Sequence, residues 1–294
     1  QGIMVEDVDG NRFVDLTAGF GVASVGHAHP SVVTAAKTQL DQLVHVMGDA
    51  YPETKRVRLL ERLAERTGLD RTILGSSGAD AVEAALKTAR MATGRDRVVA
   101  FDAGYHGLSY GALAATGYNA DQFRAPFEGQ LGTHVHHAEF GGPLPDLSGV
   151  GAVIVEPIQG RGGMRVPPAG WLKSLQDAAH AAGALLILDE IYTGFGRTGA
   201  WFAFQDEGLC PDLVCLGKGM AGGFPISACI GTRQVMDAWG ASTGMALHTQ
   251  TFLGNPVGCS MALACTSVLD TVIPDVAGTG AWLTAALEAR GYTV

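Results

Sequence analysis

Residues 185–199 read LLILDEIYTGFGRTG, and residues 213–219 read LVCLGKG. Each begins with four apolar residues in a row and then breaks at a polar or glycine-flanked junction. A short unalternated run of this kind suits a strand buried on both faces, as in a parallel sheet covered by helices. Two further runs, 98–101 and 152–155, precede them, and a helical stretch at 171–182 separates 152–155 from 185–188. Strand, helix, strand in that order is the α/β pattern, and it predicts a mostly parallel sheet.

Working outward, residues 2–16 alternate apolar and polar positions around Asp9-Gly10-Asn11, which predicts a β-hairpin. Residues 30–46 and 51–66 repeat apolar positions at three- and four-residue spacing, for example Val57, Leu60, Leu63 and Ala64, and read as amphipathic helices. The last strongly periodic stretch is 256–272, whose small residues Gly258, Ser260, Ala262 and Ala264 predict a closely packed helix. The 41 glycines are scattered over turn positions, with no internal repeat, low-complexity tract or charge block. The chain begins at Gln1 rather than Met and stops at Val294 just after a helical stretch, so a fragment of a longer protein is expected.

Composition narrows the function classes. A chain of 294 residues, 47% apolar and 17% charged, is long enough to bury a large core. Its net charge of −9 offers no footprint for a nucleic-acid backbone or an anionic membrane. Five cysteines without a CxxC pair read as reduced thiols rather than a disulfide framework. No apolar run approaches the roughly 18 residues of a membrane span, and the first residues lack a signal pattern. A soluble, cytoplasmic protein is expected.

In open α/β sheets ligands bind beyond the carboxyl ends of the strands. Here 152–155 runs into Glu156, 185–188 into Asp189-Glu190, and 213–216 into Gly217-Lys218-Gly219. A strand-end carboxylate in low dielectric needs a cationic partner, such as a protonated pyridine nitrogen, and Asp189 suits that role. A buried amine with a lowered pKa is a carbonyl nucleophile, and Lys218 between glycines suits that one. A plain salt bridge from Lys218 to Asp189 or Glu156 explains the same residues, and the strand ends alone leave both readings open. Gly75-Ser76-Ser77-Gly78-Ala79-Asp80 opens a helix and presents free N–H groups to an anion; an ordinary Ser77/Asp80 capping box is the simpler reading of that segment by itself. Tyr105, between small neighbours after 98–101, is either a ring for stacking or a core tyrosine.

Three tempting motifs fail on context. Residues 217–222, GKGMAG, match GxGxxG, but Pro225 follows and 225–231 reads as a strand where a dinucleotide site needs a helix. A P-loop fails because Asp212 replaces its first glycine and Gly219 its Ser or Thr. His134, His136 and His137 lack a completing carboxylate or thiolate, so no metal site is expected.

Together these residues resemble the class III (subgroup II) aminotransferases of the fold-type-I pyridoxal-phosphate superfamily, the group containing 4-aminobutyrate, ornithine and acetylornithine aminotransferases. Residues 189–199 carry the resemblance, with Lys218 in GKGMAGGFP (217–225) 29 residues after Asp189, and it extends from about Val5 to Val272. It implies an α/β large domain with a mostly parallel, mixed seven-stranded sheet flanked by helices, together with part of an N-terminal small-domain segment. The implied division is 1–45 for that segment, 46–273 for the pyridoxal-phosphate-binding domain, and 274–294 for the start of a C-terminal small domain whose remainder, about a hundred residues in relatives, is missing. The resemblance further implies that pyridoxal 5'-phosphate is bound through a Schiff base to Lys218, with Asp189 on the pyridine nitrogen, Ile191 and Tyr105 on its two faces, and Ser77, Gly78 and Ala79 at the phosphate. His106, Glu156 and Tyr192 complete the cofactor contacts. Thr251, in QTFLGNP (250–256), is implied to reach the phosphate of a neighbouring subunit, which makes a homodimer with shared active sites.

Three positions depart from the family pattern. Ala79 stands where many relatives have Ser or Thr, and Tyr192 where Gln is frequent. Arg161 stands where 4-aminobutyrate and ornithine enzymes have a Glu, and a guanidinium there suits a substrate carboxylate. The implied activity is ping-pong transfer of an amino group from an amino acid or amine to a 2-oxo acid, Lys218 moving the proton and the ring held by Asp189 serving as electron sink. Decarboxylation, racemization or aminomutase chemistry uses the same cofactor residues. A lysine aldolase on a (β/α)₈ barrel and a truncated, inactive homologue are the alternatives from other classes.

Overall fold

All four apolar runs are strands in the computed structural model of the chain, which describes residues 2–48, 50–241 and 243–293. Gln1 and Val294, on which the fragment expectation rests, lie outside the described residues. The hairpin forms as β1 (Met4–Glu6) against β2 (Arg12–Val14). Seven strands make the main sheet: β3 (Arg71–Gly75), β4 (Arg97–Phe101), β5 (Val135–Ala138), β6 (Val150–Val155), β7 (Leu185–Asp189), β8 (Leu213–Leu216) and β9 (Ser227–Gly231). Their order is β3-β9-β8-β7-β6-β4-β5, with β9 antiparallel to both neighbours and every other pair parallel. The mixed, mostly parallel α/β sheet expected from the sequence is therefore the one that forms.

The helices that cover it are α1 (Pro30–Gln42), α2 (Thr54–Thr67), α3 (Gly78–Thr93), α4 (Trp171–Ala181) and α5 (Pro256–Glu288). Strand alternation divides the core in two. Val99, Phe101, Val153, Leu186, Leu188 and Leu216 pack with Leu59 and Leu63 of α2, Leu175 of α4 and Leu269 of α5. Val98, Ala100, Ile154, Ile187 and Cys215 meet the alanine face of α3, Ala81, Ala85 and Ala89. Each fully buried leucine in these layers contributes roughly 1.5–3 kcal/mol, so both faces of β6, β7 and β8 anchor the sheet.

Two helix ends differ from expectation. Helix α1 stops at Gln42 because Leu43 turns extended (φ −161°, ψ 113°). Helix α5 continues past Val272 through Pro274 to Glu288, although a proline inside a helix forfeits one backbone hydrogen bond. Its first half packs on α1 and α2, and its second half exposes Trp282 and Leu283. By length and composition α5 is long and apolar enough to cross a membrane, yet 56% of its apolar window is buried within this fold.

Candidate active site

Strands β4, β6, β7 and β8 are neighbours and parallel, so the residues beyond their carboxyl ends converge: Tyr105, Glu156, Asp189 and Lys218. Helix α3 starts after β3 and packs back across β9 and β8, which brings its N-terminus to the same edge. The result is a cavity of about 320 Å³ lined by Ser77, Gly78, Ala79, Tyr105, His106, Ile191 and Lys218. Gly107 and Leu108, which the sequence analysis did not single out, complete the lining.

Lys218 follows directly from the end of β8 with φ +37°, a left-handed conformation that a side-chain-bearing residue keeps only when its surroundings impose it. Its amine makes no salt bridge or hydrogen bond among the described residues; it lies 5.0 Å from the centre of the Tyr192 ring. The plain salt bridge is therefore not what forms. Burial pulls the Lys218 pKa down; Asp189 and Glu156 oppose this, and Arg197 and Arg161 reinforce it.

Each acid is committed elsewhere. Asp189 Oδ2 lies 2.7 Å from His106 Nδ1, and Oδ1 accepts the Ile191 N–H at 3.1 Å. Burial pulls His106 down, but the Asp189 carboxylate, aided by Glu156, more than offsets it and leaves its pKa raised. Thr116 Oγ1 accepts the His106 backbone N–H at 3.0 Å and fixes that residue from behind. Glu156 accepts the N–H of Tyr105 at 2.8 Å and of Gly160 at 3.2 Å; burial pushes its pKa up to about 7.

At the helix N-terminus both sequence readings hold at once. Ser77 Oγ accepts the Asp80 N–H at 3.2 Å, and Asp80 Oδ2 accepts the N–H groups of Ser76 (3.0 Å) and Ser77 (2.8 Å), a capping box. Among the described residues that pairing leaves the first-turn N–H groups of Gly78 and Ala79 uncommitted at the positive end of α3, where an anion is favoured. A Cβ on Gly78 would come within 2.8 Å of Ile191 Cδ1, and one on Gly217 within 3.4 Å of Ile191 Cγ2, so the two glycines let Ile191 wedge between them. Helix-end amides, an apolar wedge, an aromatic ring and an amine unpaired among the described residues line one cavity, with the buried Asp189 carboxylate next to it on His106, and this donor set fits pyridoxal 5'-phosphate.

The remaining predicted residues sit around or away from this cavity. Tyr192 lies under Lys218, in space left by Gly160, where a Cβ would meet its ring at 2.5 Å, and by Gly21. Arg161 lies over Tyr105, 4.4 Å from its centroid. Thr251 is exposed and lines a separate cavity of about 470 Å³ with His45, Met47 and Gly48. Its neighbour Gln250 ties the two places together by accepting the Ser76 hydroxyl at 3.1 Å. Arg197 was missed as a site residue although it stands inside the motif quoted at the outset: its Nε donates to the Tyr192 carbonyl at 2.6 Å and its guanidinium lies 4.8 Å over the Tyr192 ring.

A family model described as "Aminotransferase class-III" matches residues 1–291. Proteins named acetylornithine aminotransferase are similar, one from Methanopyrus kandleri being 40% identical over 288 residues, which cover 94% of this chain and 71% of that one. Another, from Mycobacterium tuberculosis, is 40% identical over 298 residues, covering 99% and 73%. Among solved structures, an amine transaminase from an uncultivated Pseudomonas species in its PLP-bound form superposes with a TM-score of 0.89 at 30% identity, over 97% of this chain and 73% of that one. The ornithine aminotransferase from Toxoplasma gondii ME49 gives a TM-score of 0.89 at 31% identity, over 98% and 70%.

Proposed function

This chain belongs to the class-III aminotransferase family, with a fold-type-I α/β architecture and pyridoxal 5'-phosphate-dependent transfer of an amino group to an oxo acid, and from that premise we propose that Lys218 is the residue that attaches the cofactor. The observation that carries this reading is the half-buried Lys218 amine, unpaired among the described residues, in the same cavity as the N-terminus of α3 and beside the Asp189–His106 pair.

When bound, the cofactor supplies an electron sink for breaking a bond at the substrate carbon. The residues do the rest. Asp189 would pair with the ring nitrogen, with His106 orienting its carboxylate. Ile191 and Tyr105 would pack against the ring, and Ser77, Gly78 and Ala79 would hold the phosphate. The Lys218 amine would take and return the proton at the substrate carbon, a task its lowered pKa favours. Glu156 faces the substrate side, and Tyr192 sits beside the lysine. Thr251, away from the chain's own cavity, serves the phosphate of a second copy, which makes the working unit a homodimer. Residues 46–273 are the cofactor domain, and 1–45 and 274–294 belong to small-domain structure. The buried free cysteines Cys215, Cys229, Cys259 and Cys265 favour a reducing cytoplasm.

Acetylornithine, the donor in the relatives' names, is the first donor to assay, with a 2-oxo acid acceptor. The attachment is tested by borohydride reduction of cofactor-loaded protein followed by peptide mapping. The tag is expected on the peptide containing Lys218; a tagged peptide without it overturns the assignment.

A further inference from the structure

Gln159, three residues beyond Glu156 on the loop after β6, carries an amide that is only 1% exposed. Its backbone is held from both directions, its N–H donating to the Arg165 carbonyl at 3.0 Å and its carbonyl accepting the Arg165 N–H at 3.2 Å. Its side-chain Nε2 donates to the Asp102 carbonyl at 2.6 Å. That leaves Oε1, a buried acceptor with no partner among the described residues. Desolvating an acceptor without meeting it is costly, and native folds seldom keep one so deep without a use.

His106 supplies the complementary need. Its Nδ1 faces Asp189 at 2.7 Å and its side chain is buried, while Nε2 makes no hydrogen bond among the described residues. When the imidazole is protonated, that second N–H requires an acceptor inside the protein. Gly104 brings the two groups together. A Cβ there would lie 3.2 Å from His106 Nε2, 3.6 Å from Gln159 Nε2 and 3.1 Å from the Phe101 carbonyl oxygen, so imidazole, amide and a further acceptor border one side-chain-free position. Gly104 is not among the residues at positive φ, so what its lack of a side chain supplies is room rather than backbone freedom.

We infer that Gln159 is a positioning residue for the reaction: its Oε1 holds the Nε2 edge of His106 through one buried water, which fixes the imidazole with Nδ1 on Asp189. A water flanked by two acceptors, Gln159 Oε1 and the Phe101 carbonyl, spends its hydrogens on them and offers its oxygen to the imidazole, so it favours the protonated ring. That ring donates from both nitrogens and keeps Asp189 an oriented carboxylate. The bearing on the reaction rests on Asp189 serving the cofactor's ring nitrogen; the chain of hydrogen bonds does not. The charged groups facing His106 are Asp189 on β7, Glu156 after β6 and Lys218 across the cavity. His137 on β5 stays neutral, its pKa pulled down to about 4 by burial and by Arg124. All four are retained in the variants that test the inference.

The test is the titration midpoint of His106 in cofactor-free protein, read from its Cε1–H resonance by NMR and assigned by its absence in His106→Phe. Gln159→Met keeps the length and removes the acceptor, and should lower the midpoint by about one pH unit, a tenfold loss of proton affinity. Gly104→Ala keeps Gln159 and its Asp102 contact but fills the space between; it should lower the midpoint similarly, and the two changes together should do little more than either alone. Gln159→Glu keeps an acceptor and should hold the midpoint at or above that of the unaltered protein. In cofactor-loaded protein with acetylornithine as donor, kcat should fall about tenfold in Gln159→Met with KM little changed, and recover in Gln159→Glu. An unmoved midpoint in Gln159→Met overturns the inference. So does an equal fall in Gln159→Glu, which would make the Asp102 contact the one that matters, and so does a lowered midpoint with kcat unmoved. Failure of the cofactor to attach at Lys218 would overturn the parent reading instead, and the midpoints would still decide whether Gln159 holds His106.

Discussion

His106 Nδ1 lies 2.7 Å from Asp189 Oδ2, and both side chains are buried. The pair explains how a carboxylate is kept at the end of β7 without claiming Lys218. Removing one member of a buried pair leaves the other uncompensated, at a cost of about 3–5 kcal/mol. His106→Phe should therefore lower the urea midpoint of the cofactor-free protein markedly. If Asp189 also serves the ring nitrogen, saturating pyridoxal phosphate should recover a large part of the deficit. Equal deficits with and without cofactor would show that His106 supports Asp189 for folding alone.

The wedge of Ile191 between Gly78 and Gly217 gives a second prediction. A methyl group on Gly78 would sit 2.8 Å from Ile191 Cδ1, and the displaced isoleucine would push into the cavity. Overpacking of this kind costs about 1–3 kcal/mol, so Gly78→Ala should weaken cofactor binding about tenfold in a titration. Adding Ile191→Val should restore part of it. Wild-type affinity in Gly78→Ala would show that the wedge yields freely.

How much of this was legible beforehand follows from the range of each interaction. Strands β6, β7 and β8 could be read because burial on both faces leaves unbroken apolar runs, and the residue after each run marks where the site must lie. Strand β5 carries His136 and His137 and shows no such run. Helix α5 runs on past the periodic stretch 256–272 although Pro274 is a local stop signal, and the largely exposed turns beyond it carry no apolar periodicity to mark them. The site's outer contacts join residues far apart in the chain: Arg197 donates to the Gly21 carbonyl, and Arg161 is floored by Tyr118 and Phe123. No periodicity records such contacts. The motif 189–199 did contain Arg197, but a motif names residues without saying what they touch.

Tyr192 lies with Lys218 Nζ 5.0 Å and Arg197 Cζ 4.8 Å from its ring centre. An electron-rich face favours the charged form of the lysine, while Arg197 disfavours it. Tyr192→Leu removes the favourable part and should let the Lys218 pKa fall further, whereas Tyr192→Phe keeps the ring and should stay close to wild type. The measurement is the pH dependence of Lys218 acylation in cofactor-free protein, read by mass spectrometry. A midpoint that moves upward in Tyr192→Leu would refute the ring's role.

Glu190 gives the clearest dependence on pH. It is fully buried behind Asp189, accepting the Thr193 hydroxyl at 2.5 Å and the Phe204 N–H at 2.8 Å, and burial pushes its pKa from an ordinary 4.5 up to about 7. A folded-state pKa raised in this way means that the folded chain binds more protons than the unfolded one between those values. Its stabilising contribution is complete below about 4.5 and is lost as pH rises through about 7. Glu156, also raised to about 7 by burial, acts in the same direction. Glu190→Gln cannot titrate and keeps an acceptor for Phe204, while the Thr193 hydroxyl can rotate to accept from the new amide. Relative to this variant, the wild-type protein should lose stability on the order of 3 kcal/mol between pH 5 and pH 8. Urea denaturation of both proteins across that range checks it. Parallel stability curves would mean that Glu190 is ionised in the folded state throughout, and that its two hydrogen bonds outweigh its burial.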